Sequence, residues 1–210
     1  MRACWFLLAT FLVTSSAFSQ EALIVALGDS NTSGYGVGAT AAFPAQLGAM
    51  LQQRGHGVRV VNAGLTGDTF GGMFARLDSS VPPGTRLVIV QGGYNDLLAG
   101  TQPGAIVAAM RGILARLNAR GVRVVLCGFF YPEWDAVGRA LAASYRATFV
   151  NGSACYDPRY RGPDGLHMAA AGHQAVAARL APVVERTLFS RRTAAPTRLA
   201  AGARGRVRHR

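Results

Sequence analysis

The sequence is poor in several features on which other classes of protein depend. It contains no lysine, so all 22 basic residues are arginine, a composition bias that says nothing about mechanism. Beyond residue 19, no apolar run is long enough to cross a bilayer, since a helical span needs about 20 residues. Metal-dependent hydrolysis is not indicated either, because no H-E-x-x-H or similar spacing connects the histidines, which are His56, His167, His173 and His209.

Length and composition indicate one domain with two appendages. At 210 residues, half of them hydrophobic, the chain has room for one full core but not for two. Residues 1–19 combine Arg2, an apolar run and the small residues Ala17 and Ser19, which is the pattern of a cleaved signal peptide. We therefore expect export, to the periplasm or the medium, of a domain that covers residues 20–189. A membrane anchor is the less favoured interpretation of residues 1–19.

Residues 190–210 form an arginine-rich tail that we expect to be disordered. The tail holds seven arginines and almost no large apolar side chain, so it cannot bury enough surface to fold. Because an eighth arginine, Arg2, lies in the signal peptide, 14 arginines and 10 acids remain in the domain, a net charge of about +4 in place of +12. We expect the tail to contact anionic surfaces at most, and the domain to bind neither nucleic acid nor a stable protein partner.

Two cysteines, Cys127 and Cys155, remain once residues 1–19 are removed. An exported protein meets an oxidising compartment, where these two either pair in a disulfide or stay as buried thiols. The choice depends on the separation of their Cα atoms, which a sequence does not report.

Short apolar runs alternate with amphipathic helical patterns through the middle of the chain. Apolar residues recur at helical spacing over residues 43–54, 106–117 and 176–188. This alternation predicts an α/β fold, a single-domain three-layer α/β/α sandwich with a five-stranded parallel sheet. The runs are β-branched and uninterrupted, as in strands covered on both faces, and they are residues 22–27, 58–61, 87–90, 122–127 and 148–150.

Polar residues beside the expected strand ends point to one site, because ligands bind at the carboxyl ends of parallel strands. Ser30 follows the first strand in a glycine-bounded turn and is the candidate nucleophile. A serine hydroxyl needs a base, for which His167 is the candidate, with Asp164 placed to orient the imidazole. Taken singly, each is explained as well by a turn or a helix start. Taken together they favour a catalytic triad.

Attack by a serine on a carbonyl also needs hydrogen-bond donors for the oxyanion that forms. The candidate donors are the backbone N–H groups of Ser30 and Gly64 and the side-chain amide of Asn95. Gly64 is a candidate because a residue without a side chain lets a substrate approach its backbone closely.

Aromatic side chains near the same sheet edge are the candidate substrate contacts. Tyr94, beside Asn95, would either narrow the pocket or offer a platform for an aromatic group. The aromatic residues after the fourth strand form either a wall of the pocket or packing for the next helix. The whole set is Tyr94, Phe129, Phe130, Tyr131 and Trp134.

Four ordered blocks of this chain resemble those of the SGNH, or GDSL-like, hydrolase superfamily. The resemblance covers nearly all of the expected domain. It implies a flavodoxin-like sheet, catalysis by Ser30, His167 and Asp164, and no metal or other cofactor. The blocks are G-D-S at residues 28–30, N-A-G at residues 62–64, G-Y-N-D at residues 93–96 and D-G-L-H at residues 164–167.

Within that superfamily the chain is most similar to the exported bacterial thioesterase I, lysophospholipase and arylesterase group. The similarity lies in F-P-A-Q-L at residues 43–47 and G-L-T-G-D-T at residues 64–69, whereas Tyr94 and Met168 depart from the group's pattern. It implies a serine esterase that hydrolyses small acyl or aryl esters, thioesters or lysophospholipids through an acyl-enzyme on Ser30. Carbohydrate O-acetyl ester hydrolysis is the alternative within the superfamily, and a non-catalytic binding protein on the same fold is the alternative outside it.

Overall fold

The structure is a computed structural model that describes residues 21–128 and 131–190. These residues contain a five-stranded sheet in the order β2-β1-β3-β4-β5, and every neighbouring pair of strands is parallel. The predicted α/β fold with a five-stranded parallel sheet is confirmed. The strands are β1 (Ala22–Gly28), β2 (Val58–Gly64), β3 (Thr85–Val90), β4 (Arg123–Cys127) and β5 (Thr148–Val150).

Helices connect the strands and cover both faces of the sheet. The sequence spacing predicts helices over residues 43–54, 106–117 and 176–188, and the structure has a helix over each of these ranges. The last of the three begins six residues earlier than predicted, and the other ends agree to within three residues. The helices are α1 (Ser30–Ser33), α2 (Phe43–Gln53), α3 (Phe70–Ala75), α4 (Leu77–Ser80), α5 (Tyr94–Leu98), α6 (Pro103–Ala119), α7 (Pro132–Ser144), α8 (Gly152–Cys155) and α9 (Ala170–Phe189).

Several predictions fall on residues outside the described ranges. The signal peptide, the tail from residue 191 onward, Phe129 and Phe130 all lie there, so these stay predictions. Among the helices of residues 21–128 and 131–190, none has both the length and the apolar character that crossing a membrane requires.

Successive residues of β1, an interior strand of the sheet, pack into two different cores. Ile24 and Ala26 of β1 share a buried cluster with α2 and α9. Val25 and Leu27 share the second cluster with α3 and α6, because neighbouring side chains of a strand point to opposite faces. The two cores fix the sheet between its helical layers, and the loops at its carboxyl edge are left to carry the polar groups.

Strand β2 is longer than the apolar run that predicted it. The run ends at residue 61, but parallel pairing with β1 continues until Gly64 lies opposite Gly28. An edge strand pairs on one side only, so its last residues need not be apolar to stay in register. Because of this extension, the chain turns toward the carboxyl edge three residues later than the apolar pattern indicates.

The two cysteines of the described chain form a disulfide. Cys127 is the last residue of β4, Cys155 is the last residue of α8, and their sulfur atoms are bonded. Their Cα atoms lie 6.0 Å apart, a separation that disulfides favour. The sequence left open whether these cysteines pair, and the structure shows that they do. The bond closes a covalent ring that contains α7 and β5.

We expect loss of this bond to lower the free energy of unfolding by about 2–4 kcal/mol, because a cross-link over 28 positions restricts the unfolded chain. Urea unfolding of oxidised wild type and of the Cys127→Ala/Cys155→Ala double variant measures the difference. Reduced wild type is the matched control and should unfold near the double variant. Equal midpoints for the oxidised protein and the double variant would contradict the prediction.

Candidate active site

The candidate nucleophile lies at the amino end of a one-turn helix that follows β1 directly. Asp29 is the N-cap of α1, and its Oδ1 accepts the Asn31 N–H at 2.9 Å. Gly34 closes the helix in the left-handed conformation. Ser30 is therefore held at the carboxyl end of β1, and only 7% of its surface is exposed.

The base and its carboxylate partner come from the loop before α9. His167 Nε2 lies 2.9 Å from Ser30 Oγ, and His167 Nδ1 lies 2.6 Å from Asp164 Oδ2. The other carboxylate oxygen of Asp164 accepts the backbone N–H groups of Leu166 and His167 at 3.0 and 2.9 Å. The structure thus joins the three residues predicted as a triad in one continuous chain of hydrogen bonds.

Ionisation of Asp164 decides which way these hydrogen bonds run. The hydrogen bond from His167 and those from two backbone N–H groups lower the pKa of Asp164 to about 2. An ionised carboxylate only accepts, so the proton of the neutral imidazole lies on Nδ1. Nε2 is then the acceptor for the Ser30 hydroxyl, which is the arrangement a general base needs.

A cleft of about 380 Å³ opens over Ser30 and His167. Tyr94 and Tyr131, predicted as substrate contacts, and Asn95, predicted as an oxyanion donor, lie in its wall. Trp134 does not: it packs half-buried against the core under α6 and lines a separate groove with Pro103 and Val107. Trp134 lies within α7 itself, so it neither lines the cleft nor belongs to a loop that packs over that helix.

Gly64 is not brought to the cleft. Its N–H donates to Asn62 Oδ1 at 2.9 Å, and a Cβ at this position would lie 2.1 Å from the backbone nitrogen of Ser33. The missing side chain therefore serves close packing of β2 against the nucleophile helix, and substrate does not approach here.

Gly67, three residues further on, lines the cleft in its place. Its φ of +81° is a conformation that favours glycine. Within the part of the chain that the structure describes, neither the Gly67 N–H nor the Ser30 N–H has a hydrogen-bond partner in the protein. Sequence reasoning missed Gly67, although the G-D-T run at residues 67–69 is the signal that marks it.

Asn95 is oriented by the same turn. Its Nδ2 donates to the Asp68 carbonyl at 2.8 Å, which occupies one of the two amide hydrogens. The Asp68 carboxylate in turn accepts Arg76 Nε at 2.7 Å, and Asp96 Oδ2 accepts the Phe70 N–H at 3.0 Å. These contacts fix the amide of Asn95 beside the cleft, and its second hydrogen remains for a ligand.

The loop that carries His167 is fastened to α9 and to itself. Asp157 accepts hydrogen bonds from Arg159 and Arg179, and these two guanidinium groups hold the pKa of Asp157 well below its usual range. Tyr156 Oη donates to the Leu166 carbonyl at 2.6 Å. Asp164 and His167 therefore lie on a loop that these hydrogen bonds hold in place.

One further side chain touches the base without any signal in the sequence. The ring of Tyr35 lies against the imidazole of His167, with 4.4 Å between the ring centroids. Half of Tyr35 is exposed, so the ring covers the imidazole from the solvent side.

Asp29 is an ionisable group buried under the nucleophile. Only 1% of its surface is exposed, and this burial raises its pKa from 3.8 to about 6. The hydrogen bond from Asn31 opposes the shift without cancelling it.

A serine, histidine and carboxylate in series at the carboxyl edge of a parallel sheet are the arrangement of a serine hydrolase. The family model of the GDSL-like Lipase/Acylhydrolase family matches residues 26–175. The chain belongs to that family, as the sequence blocks predict.

Curated relatives carry esterase names. The chain is 33% identical over 126 residues to Esterase TesA of Pseudomonas aeruginosa, an alignment that covers 60% of this chain and 62% of the relative. It is 37% identical over 131 residues to Thioesterase 1/protease 1/lysophospholipase L1 of Escherichia coli, with 61% of each chain covered. The chain thus spans about three fifths of the length of these relatives.

Solved structures share the fold over a larger part of the chain. AlinE4, described as an SGNH-hydrolase family esterase, superposes with a TM-score of 0.64 at 30% identity and covers 83% of this chain and 100% of its own. A crystal structure of TesA superposes with a TM-score of 0.70 at 24% identity, covering 79% of this chain and 99% of its own, and this likeness supports the fold.

The raised pKa of Asp29 predicts a pH-dependent contribution to stability. A folded-state pKa above the unfolded value stabilises the protein fully below about pH 4, and this contribution is lost as the pH rises through about 6. Asp29→Asn lacks the titration but keeps an oxygen for the Asn31 N–H. The unfolding free energy of wild type should therefore fall relative to Asp29→Asn by roughly 2–3 kcal/mol between about pH 4 and pH 8.

Denaturant unfolding at a series of pH values measures that difference. Asp78→Asn removes an exposed carboxyl and is the control for a change of surface charge. A difference between wild type and Asp29→Asn that does not change with pH would contradict the assignment.

Proposed function

We propose that this chain is an exported serine esterase that hydrolyses carboxylic esters of small molecules through an acyl-enzyme on Ser30. The observation that carries the proposal is the unbroken series of hydrogen bonds from Asp164 through His167 to Ser30 at the floor of an open cleft. Family membership and relatives named as esterases support it. The apolar amino-terminal segment and the disulfide support export, because disulfides persist in oxidising compartments.

The first half of the reaction forms the acyl-enzyme. Ser30 Oγ attacks the ester carbonyl while its proton moves to His167 Nε2, and the negatively charged Asp164 stabilises the resulting imidazolium. The carbonyl oxygen becomes an oxyanion. When the tetrahedral intermediate collapses, His167 returns the proton to the departing alcohol oxygen and the acyl group stays on Ser30.

Three donors at the cleft fit the oxyanion. They are the backbone N–H groups of Ser30 and Gly67 and the second amide hydrogen of Asn95, which come from the segments that follow β1, β2 and β3. Donors fixed before the reaction favour the charge that develops in the transition state, because they need not reorganise. Gly67 thus takes the role that the sequence assigned to Gly64.

The second half of the reaction restores the enzyme. Water enters the cleft, loses a proton to His167 Nε2 and attacks the acyl carbonyl, and the same donors hold the second oxyanion. Collapse of this intermediate breaks the bond to Ser30 Oγ, which recovers its proton from His167, and releases the carboxylic acid.

Ser30→Ala should abolish turnover of 4-nitrophenyl esters, because no other group in this geometry forms the acyl-enzyme. A fluorophosphonate should add once to wild-type protein and not to Ser30→Ala. The labelled protein is recovered outside the cytoplasm and its intact mass is measured. That mass should correspond to a chain that begins at Gln20 and carries a single adduct.

Ser144→Ala, an exposed serine on α7, is the matched control and should keep full activity. Turnover by a folded Ser30→Ala protein would rule out the nucleophile. A wild type that is folded but neither labelled nor active would favour the non-catalytic alternative.

Asn95→Ala should lower kcat by roughly 10²-fold to 10³-fold with little change in KM, because the lost donor acts mainly on the transition state. Steady-state kinetics with a 4-nitrophenyl ester measures both constants. Asn118→Ala removes an exposed amide on α6 and serves as the control. A rise in KM at constant kcat would instead make Asn95 a binding residue.

A further inference from the structure

Arg161 opens onto the same cleft as the catalytic serine. Of the cleft-lining residues in the described part of the chain, it is the only arginine, and the other acidic or basic side chains there are Asp29 and His167. Asp29 is buried beneath the nucleophile, whereas Arg161 is exposed at the rim. Arg161 therefore gives the accessible wall of the cleft one positive charge.

The backbone of Arg161 is tied to the strand-like segment that carries the base. Arg161 and Met168 form an antiparallel bridge, and the Gly162 N–H donates to the His167 carbonyl at 2.7 Å. A second hydrogen bond of this ladder joins the Ala169 N–H to the Tyr160 carbonyl at 2.7 Å. The position of Arg161 relative to His167 is thus set by backbone pairing.

The side chain of Arg161 is oriented as well. Its Nε donates to Tyr156 Oη at 3.0 Å, and the same hydroxyl donates to the Leu166 carbonyl at 2.6 Å. Both Tyr156 and Leu166 line the cleft, so this hydrogen bond holds the Nε edge of the guanidinium at the cleft wall. A planar guanidinium suits carboxylate and phosphate oxygens, which it binds through paired N–H groups.

We propose that Arg161 forms an anion-recognition subsite of the cleft, so that the preferred substrates are esters that also carry a carboxylate or phosphate group. The inference rests on the proposed esterase function and specifies the charge of its preferred substrates. The permanent positive charge and planar fork of the side chain favour such a group over a neutral one of similar size.

Two substrate pairs test the subsite and separate its two chemistries. The first pair is 1-butyrylglycerol and 1-butyrylglycerol 3-phosphate, which differ by a phosphate on the alcohol side. The second is 4-nitrophenyl butyrate and the mono-4-nitrophenyl ester of glutaric acid, which differ by a carboxylate on the acyl side. The measured quantity is the ratio of kcat/KM for the anionic ester to that for its neutral partner, at low ionic strength to limit screening.

Wild type should prefer the anionic member of at least one pair. Arg161→Gln should lower that ratio by about 10-fold to 100-fold, the range of a charge-assisted hydrogen bond, and leave the neutral ester unchanged. Arg161→Lys should keep part of the preference, because the charge stays while the planar fork is lost. Arg86→Gln, an exposed arginine at the amino end of β3 and so at the opposite sheet edge, is the matched control and should keep the ratio.

Three outcomes would overturn the subsite: an equal ratio in wild type and Arg161→Gln, an equal fall in Arg86→Gln, or an equal loss for the neutral ester. The last would mean that Arg161 only supports the loop. Calorimetric titration of intact esters into Ser30→Ala and Ser30→Ala/Arg161→Gln repeats the comparison without turnover. If wild type hydrolyses no ester, the proposed function fails. These titrations still show whether Arg161 binds the anionic group, because they measure binding without turnover.

Discussion

The guanidinium group of Arg76 holds the ends of two strands together, and the arrangement of the site depends on that contact. It donates to the carbonyls of Gly28 and Ala63, at the carboxyl ends of β1 and β2, and to the carboxylate of Asp68. The Gly28 carbonyl also accepts the Leu65 N–H at 2.9 Å, and the guanidinium group uses its second acceptor position. One planar cation thus joins both strand ends and fastens the turn at residues 65–69 to them. Gly67 and Asn95 reach the cleft because this turn is held.

Much of the site was predictable because its groups lie next to features with a local signature. Ser30 follows an uninterrupted apolar run, so the end of β1, and with it the place of the serine, is visible in the pattern. Gly64 illustrates the limit of this reasoning. The polar last residues of β2 stay paired with β1, which no apolar pattern reports, and the chain reaches the cleft only at Gly67. Strand existence was readable from the sequence, but the last paired residue depends on the neighbouring strand.

Other parts of the site depend on distances between segments that the sequence does not relate. The disulfide forms because β4 and α8 place two Cα atoms 6.0 Å apart, and Tyr35 meets His167 across 132 positions of chain. Arg161 lies in an irregular loop without periodicity, so only the backbone ladder to His167 reveals its place. Such contacts arise from packing of the whole domain, so the local conformational preferences of a sequence do not predict them.

The ring closed by the disulfide also bears on how the sheet meets other molecules. An open sheet has two edges with unpaired backbone groups, and such edges invite pairing with strands of other chains. Here one edge, β5, is three residues long and lies inside the covalent ring. The other, β2, exposes Arg59 and Asn62 along its length. The bond beside the cleft thus also joins the two ends of the segment that carries the shorter edge strand, and so short an edge offers little backbone for another chain to pair with.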